Sequence, residues 1–223
     1  MATKAVLADL IPAYLVQTGV SVQIESVGGV DAAKRVQAGE TFDMVLLASD
    51  AIERLIASGH VQRGTRCDWV RSPVAVAVKA GAVKPDLSNE AAVKAAVLAS
   101  PTVSYSSGPS GVFLEKMFAH WGIADEVKAR IVVPPPGTPV GTLVANGQAS
   151  LGFQQLSELI ALPGIDVLGT LPEDMAFITT FSSSIASVIA EDATRVAAAQ
   201  SFMQFLASAG VEDVKRKQGM HWL

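Results

Sequence analysis

Apolar residues recur along the chain at two spacings, and the switch from one to the other predicts its elements. Leu7, Leu10, Ile11, Tyr14 and Leu15 stand three and four apart, a helical stripe closed by Gly19 where a C-terminal cap belongs. Val20–Glu25 alternates apolar with polar and predicts a strand. Gly28–Gly29 leads into a helix reaching Ala38 and closed by Gly39. Phe42–Ala48 is the continuous apolar run of a strand buried on both faces, and a helix over Ala51–Ala57 ends at Gly59. Further strands are expected at Val74–Val78, Val103–Tyr105, Ile131–Val133, Ser150–Phe153, Val167–Gly169 and Phe177–Phe181. Helices alternate with them at Asn89–Leu98, Gly111–Trp121, Pro139–Asn146 and Leu156–Leu162, and Asp192–Ala207 and Val211–Lys217 close the chain. This alternation predicts an α/β fold with parallel sheets covered by helices.

Half of the 223 residues are apolar and 17% are charged, a globular composition. The formal net charge is −4, and the one dense basic cluster, Lys215, Arg216 and Lys217, falls near a helix end, where cations complement the dipole. No nucleic-acid partner is expected from such a surface. Runs such as Val74–Val78 and Ile185–Ala190 fall well short of the roughly 18 apolar residues of a membrane span. No charged and then apolar leader opens the sequence, so the expected location is cytoplasmic as written, and periplasmic if an export leader has been removed. Cys67, between Arg66 and Asp68, reads as a structural thiol in a loop before a strand. His60, His120 and His221 share no metal-ligand spacing, so neither metal nor cofactor is expected. Asp43, heading a buried run, reads as a hydrogen-bonded structural carboxylate.

Several local signatures occur in a telling order. They are Gly28–Gly29 before a helix, Ala38-Gly39-Glu40, Phe42–Asp43 opening a strand that ends Ala48–Ser49, Ser107-Gly108-Pro109-Ser110-Gly111 entering a helix, and Val144…Gly147…Leu151-Gly152-Phe153. With them, nearly the whole chain resembles the molybdate-binding-protein-like branch of the type 2 periplasmic solute-binding proteins. The resemblance implies a two-lobed α/β periplasmic-binding-protein fold with two crossover strands. Residues 1–78 plus 178–223 would form one lobe and 79–177 the other, with a small-molecule anion captured in the cleft and a transporter permease (of the ABC type) as partner.

The strongest functional segment is Ser106–Gly111, where hydroxyls and glycines meet at a helix entry and free backbone amides point outward. Ser107, Gly108, Ser110 and Gly111 would cradle an anion or carbonyl without Lys or Arg; an ordinary N-cap at Ser110 is the plain alternative. The segment lacks the Gly-Lys-Ser/Thr ending of a P-loop and the spacing of a nucleophile elbow. Gly28 and Gly29 mark a second helix entry, with Gly28 where the family pattern has serine, and Ser49 follows the Phe42–Ala48 strand. Gly137 and Thr138, after a run of three prolines, would border the ligand by the same resemblance. The family usually carries Asp where Ser150 stands and Tyr near Gln155. With Gln154 or Gln155 supplying amide donors and acceptors instead, the expected ligand is a small anionic organic acid before a molybdate-type oxyanion. Glu158 is the acid next to this segment and would be the general base of a cytosolic enzyme such as an isomerase. A ligand-sensing domain is a third alternative.

Family members begin with a strand, whereas here the first helix starts almost at Met1, with Thr3 as its cap. Either the chain is shortened there, or another segment or subunit supplies the edge. A homodimer through that edge is therefore expected.

Overall fold

The computed structural model describes residues 1–135 and 137–222; Pro136, in the run of three prolines, lies outside the described residues. In chain order the elements open with α1 (Lys4–Thr18), α2 (Gly29–Gln37), β1 (Met44–Ala48), α3 (Ser49–Ala57) and β2 (Cys67–Lys79). Next come α4 (Glu90–Ala99), β3 (Val103–Tyr105), α5 (Pro109–His120), α6 (Ala124–Lys128) and β4 (Ile131–Val132). The remainder are α7 (Val140–Ala145), β5 (Leu151–Gln155), α8 (Leu156–Leu159), β6 (Ile165–Thr170), β7 (Ile178–Ile185), α9 (Ala193–Ala207) and α10 (Glu212–Lys217). They form two compact units, residues 1–72 with 180–223 and residues 73–179. The chain passes from one unit to the other within β2 and again within β7.

In the first unit, α1 buries Leu7, Leu10 and Tyr14 of the stripe its spacing predicts, together with Val6, while Leu15 stays exposed. Tyr14 packs its ring against Phe202 and Phe205 of α9, with centroids 4.9 and 5.1 Å apart, and its hydroxyl donates to Ser201 Oγ at 2.9 Å. A buried aromatic of this size contributes roughly 1.5–3 kcal/mol, so the pair fastens the first helix to the last long one. β1 pairs antiparallel with β7, Leu46 opposite Ser183. Asp43, just before β1, accepts from Arg195 Nε at 2.6 Å, the structural role expected of it.

The expected strand at Val20–Glu25 does not form. Its alternation is present, but a strand exists only within a ladder, and among the described residues no strand pairs with this segment, whose Val20 and Ile24 remain exposed.

In the second unit β3 lies between β4 and β5, parallel to both, with Ser104 opposite Val132 and Gly152. β5 also pairs antiparallel with β2, which pairs antiparallel with β6. The sheets are thus mixed, not parallel throughout. A parallel neighbour requires a long crossover, which α5–α6 and α7 provide, whereas β6 follows α8 and returns against β2. Side chains alternate across β5. Leu151 and Phe153 enter a core with Val74, Val76, Tyr105, Leu114 and Phe118, while Gly152 meets Val140 and Val144 of α7.

Cys67 is the first residue of β2 and not part of a loop. Two residues on, Trp69 is buried over Lys215, whose side chain is fully buried; Nζ donates to the Trp69 carbonyl at 2.8 Å and lies 5.7 Å from the ring centre. The basic cluster is at a helix end as expected, but its first member is a core residue. Burial lowers the Lys215 pKa from 10.5 to about 8, against the opposing pull of Cys67 and Glu212. The unfolded chain keeps this proton up to its ordinary pKa, so it binds more protons than the folded state between about pH 8 and 10.5, and stability rises with pH there. Thermal unfolding across that range should show the rise, and Lys215→Met should flatten it; an unchanged slope in the variant would locate the titration elsewhere.

Candidate functional site

Because β3, β4 and β5 are parallel, the segments that leave their C-terminal ends emerge at one edge of the second unit. Those segments are Ser106–Ser110, Val133–Pro135 with Gly137–Thr138, and the turn into α8 at Gln155–Glu158. In α/β sheets ligands gather at this edge, where helix starts present unpaired amides.

The α5 entry is shaped by close packing. A Cβ on Gly111 would stand 1.7 Å from the Ser106 carbonyl oxygen and 2.9 Å from Tyr105 Cδ2. The close approach that requires this glycine is made by the chain itself. Gly108, with φ −83° and ψ −166°, is the N-cap, and Pro109 follows at the first helical position. Ser110 therefore lies inside the first turn and does not cap it; it is buried, its Oγ 3.3 Å from Ser106 Oγ. The Gly108 amide donates to Ser106 Oγ at 3.3 Å and the Gly111 amide to the Gly108 carbonyl at 3.0 Å. Pro109 has no N–H at all, so the cradle is narrower than its sequence suggests. Ser107 is its exposed member.

The two glutamines divide. Gln154 points to the α7 side of β5, where its Oε1 accepts the Val140 amide at 2.9 Å and its Nε2 donates to Glu158 Oε2. Val140 is the first residue of α7, so Gln154 caps that helix from a neighbouring strand and has both ends of its amide engaged. Gln155 points to the opposite side, and its Nε2 donates to Thr179 Oγ1 at 2.7 Å. Its Oε1 is buried with no hydrogen-bond partner among the described residues. Of the pair, only Gln155 has capacity left for a ligand. Thr179 was not legible as part of this arrangement, since no spacing links positions 155 and 179.

Glu158 is held by Gln154, and burial keeps its carboxyl above the ordinary carboxylate range, offset in part by that hydrogen bond. Gly137 occupies a turn at φ +81°, a conformation that favours glycine, and the Thr138 amide donates to the Pro135 carbonyl at 3.0 Å. Ser150 joins β5 to the start of β3, its Oγ donating to the Thr102 carbonyl at 2.6 Å.

In the first unit Gly28 caps α2 with φ −56° and ψ 142°, and Gly29 is its first helical residue. Ser49, half-buried, begins α3 directly after β1. Neither glycine has a positive φ, so no left-handed turn accounts for them.

A family model described as bacterial extracellular solute-binding protein matches residues 1–221, and the chain belongs to that family. It is 38% identical over 210 residues to a protein named aconitate isomerase from Pseudomonas sp., covering 91% of this chain and 78% of that one. Among solved structures it resembles the periplasmic molybdate-binding protein of Azotobacter vinelandii, with TM-score 0.79 and 21% identity over 100% of this chain and 96% of the other. The sulfate-binding protein of Mycobacterium tuberculosis gives TM-score 0.76 and 17% identity over 99% and 83%. The fold is that of the periplasmic binding proteins it resembles, as the sequence motifs lead one to expect. No helix among the described residues is long and apolar enough to cross a membrane.

Replacing Gln154 by Met should remove the acceptor of the buried Val140 amide and destabilise the protein by about 1–3 kcal/mol in urea unfolding. A neutral result would show that α7 does not depend on this cap.

Proposed function

We propose that this chain binds a small unsaturated polycarboxylate of the aconitate type and isomerises it. The observation that carries the reading is the 38% identity, across 91% of the chain, to a protein named aconitate isomerase. The character of the candidate segments supports it. Ser106–Gly111, Gly137, Thr138 and Gln155 offer amides and hydroxyls and contain no metal-ligand set, which suits carboxylate oxygens held by hydrogen bonds. Gly28, Gly29 and Ser49 are proposed as further ligand contacts of the same kind. Family membership supports a small anion as the class of ligand and an ABC transporter as the usual partner.

Aconitate carries three carboxyl groups around a three-carbon chain with one double bond. A base can remove a proton from its saturated carbon, leaving an electron pair delocalised over the allylic carbons and the adjacent carboxylates. Return of a proton to the former vinyl carbon moves the double bond and allows the other geometry, with no net change in atoms or electrons. Glu158 is the proposed base. Its raised pKa makes its carboxylate a stronger base than an ordinary one. The carboxyl must be ionised to act, so the rate should rise with pH through a range above the usual 4.5.

A receptor that binds without turnover is the second reading, favoured by the hold of Gln154 on Glu158 away from the face of Gln155. The two readings separate when the protein is incubated with trans-aconitate and the vinyl proton of the cis isomer is followed by NMR. Conversion is expected, with Glu158→Gln lowering kcat by roughly 10²–10⁴-fold while calorimetric affinity is retained. Binding without conversion would establish the receptor, and no binding of either isomer would overturn the aconitate reading altogether.

A further inference from the structure

The buried, unpartnered end of the Gln155 amide carries an inference that rests on the polycarboxylate reading and sharpens it. Gln155 is only 2% exposed, and Thr179, to which its side-chain amide donates, is 6% exposed. An amide in such a place normally has both ends satisfied, because an unsatisfied buried polar atom costs about 1–3 kcal/mol. Here Nε2 meets Thr179 Oγ1 at 2.7 Å and Oε1 meets no partner among the described residues.

The register shows which way the amide faces. Phe153 lies opposite Tyr105, and Val74 lies opposite Gln155. Two residues beyond Phe153, Gln155 shares its face of the sheet, just past the end of the β3 ladder from which the chain leads into α5. Phe113 in the second turn of α5 stacks on Phe177, two residues before Thr179, with centroids 4.4 Å apart. The α5 entry, Gln155 and Thr179 thus belong to one side of one unit.

The two ends of a glutamine amide have nearly the same shape, and a threonine hydroxyl can donate or accept. With Nε2 toward Thr179, the threonine hydroxyl proton has no acceptor and Oε1 has no donor. Turning the amide end for end keeps every heavy atom in place. Thr179 then donates to Oε1, and the two N–H bonds of Nε2 are left to meet a guest. An anionic guest cannot satisfy a bare carbonyl oxygen, but it can accept from an N–H₂ group.

We propose that Thr179 is a positioning residue that donates its hydroxyl to Gln155 Oε1 and thereby commits Gln155 Nε2 to a carboxylate of the bound polycarboxylate. Carboxylate recognition in this site is then set by a neutral amide whose orientation a second residue fixes.

The hydrogen-bond direction is tested without any ligand. In the protein as it stands, NMR should show a slowly exchanging Thr179 hydroxyl proton with a cross-peak to the Gln155 side chain, lost in Thr179→Val. A Gln155 side-chain N–H hydrogen-bonded to Thr179 Oγ1 instead would overturn the proposal, whatever the protein binds. Calorimetry with trans-aconitate supplies the second arm. Gln155→Glu, which exchanges the donor for a repelling carboxylate, should weaken binding by roughly 100-fold or more. Thr179→Val should weaken it by about tenfold, and Thr179→Ser, which restores the hydroxyl, should recover it. Retained affinity in Gln155→Glu, or failure of serine to rescue, would also overturn the assignment. Absence of aconitate binding by the unaltered protein would reject the aconitate reading and leave the NMR result to decide this one.

Discussion

The carbonyl oxygen of Ser106 stands where the side chain of residue 111 would begin, and that contact disciplines the edge of the second unit at which the candidate segments emerge. It lets α5 start immediately beyond the end of β3, with Ser106 reaching back to the amide of Gly108. The parallel ladders from β3 to β4 and β5 then bring two other loops to the same edge. Any side chain at 111 would force helix and strand apart and uncouple the first of these segments from the rest.

Much of this fold was legible because most elements have unambiguous periods. The spacing of α1, the apolar run of β1 and the Gly-terminated helices all appear where the pattern places them. The failures share a cause: ladders are tertiary facts. Val20–Glu25 has a strand's alternation and no neighbour to make it one. β2 runs from Cys67, well upstream of Val74, because its polar first residues are supported by partners such as Ser182 and Ser183, which no local rule can see. Strand direction was likewise inferred from the alternation of elements, which does not register that β6 returns against β2.

The candidate site was legible as segments and not as atoms. A strand ending in Ser and Gly before a helix is readable from residue types, and so is the glutamine pair. Which glutamine has a free valence depends on the pleat of β5 and on Val140 and Thr179, residues 14 and 24 positions away from their partners. The N-cap offered as the alternative for Ser110 is not formed: the serine is a buried residue of the first turn, because Pro109 occupies the first helical position and Gly108 is the cap. Lys215 shows the same limit in the first unit: a run of three basic residues reads as solvated surface until the helix is wound and its first member turns inward.

The adjacency of Gln154 and Gln155 has an evolutionary corollary. A one-residue shift of β5 turns every side chain to the opposite face. Were the strand to lengthen by one residue before this pair, a glutamine would still stand at the position facing Thr179 and the helix end at Val140 would lose its acceptor. Were it to shorten by one, the acceptor would survive and the proposed ligand-binding amide would become a leucine. The tandem thus separates two liabilities that a lone glutamine would merge, so a lineage drifting in length here could trade folding robustness against selectivity one at a time.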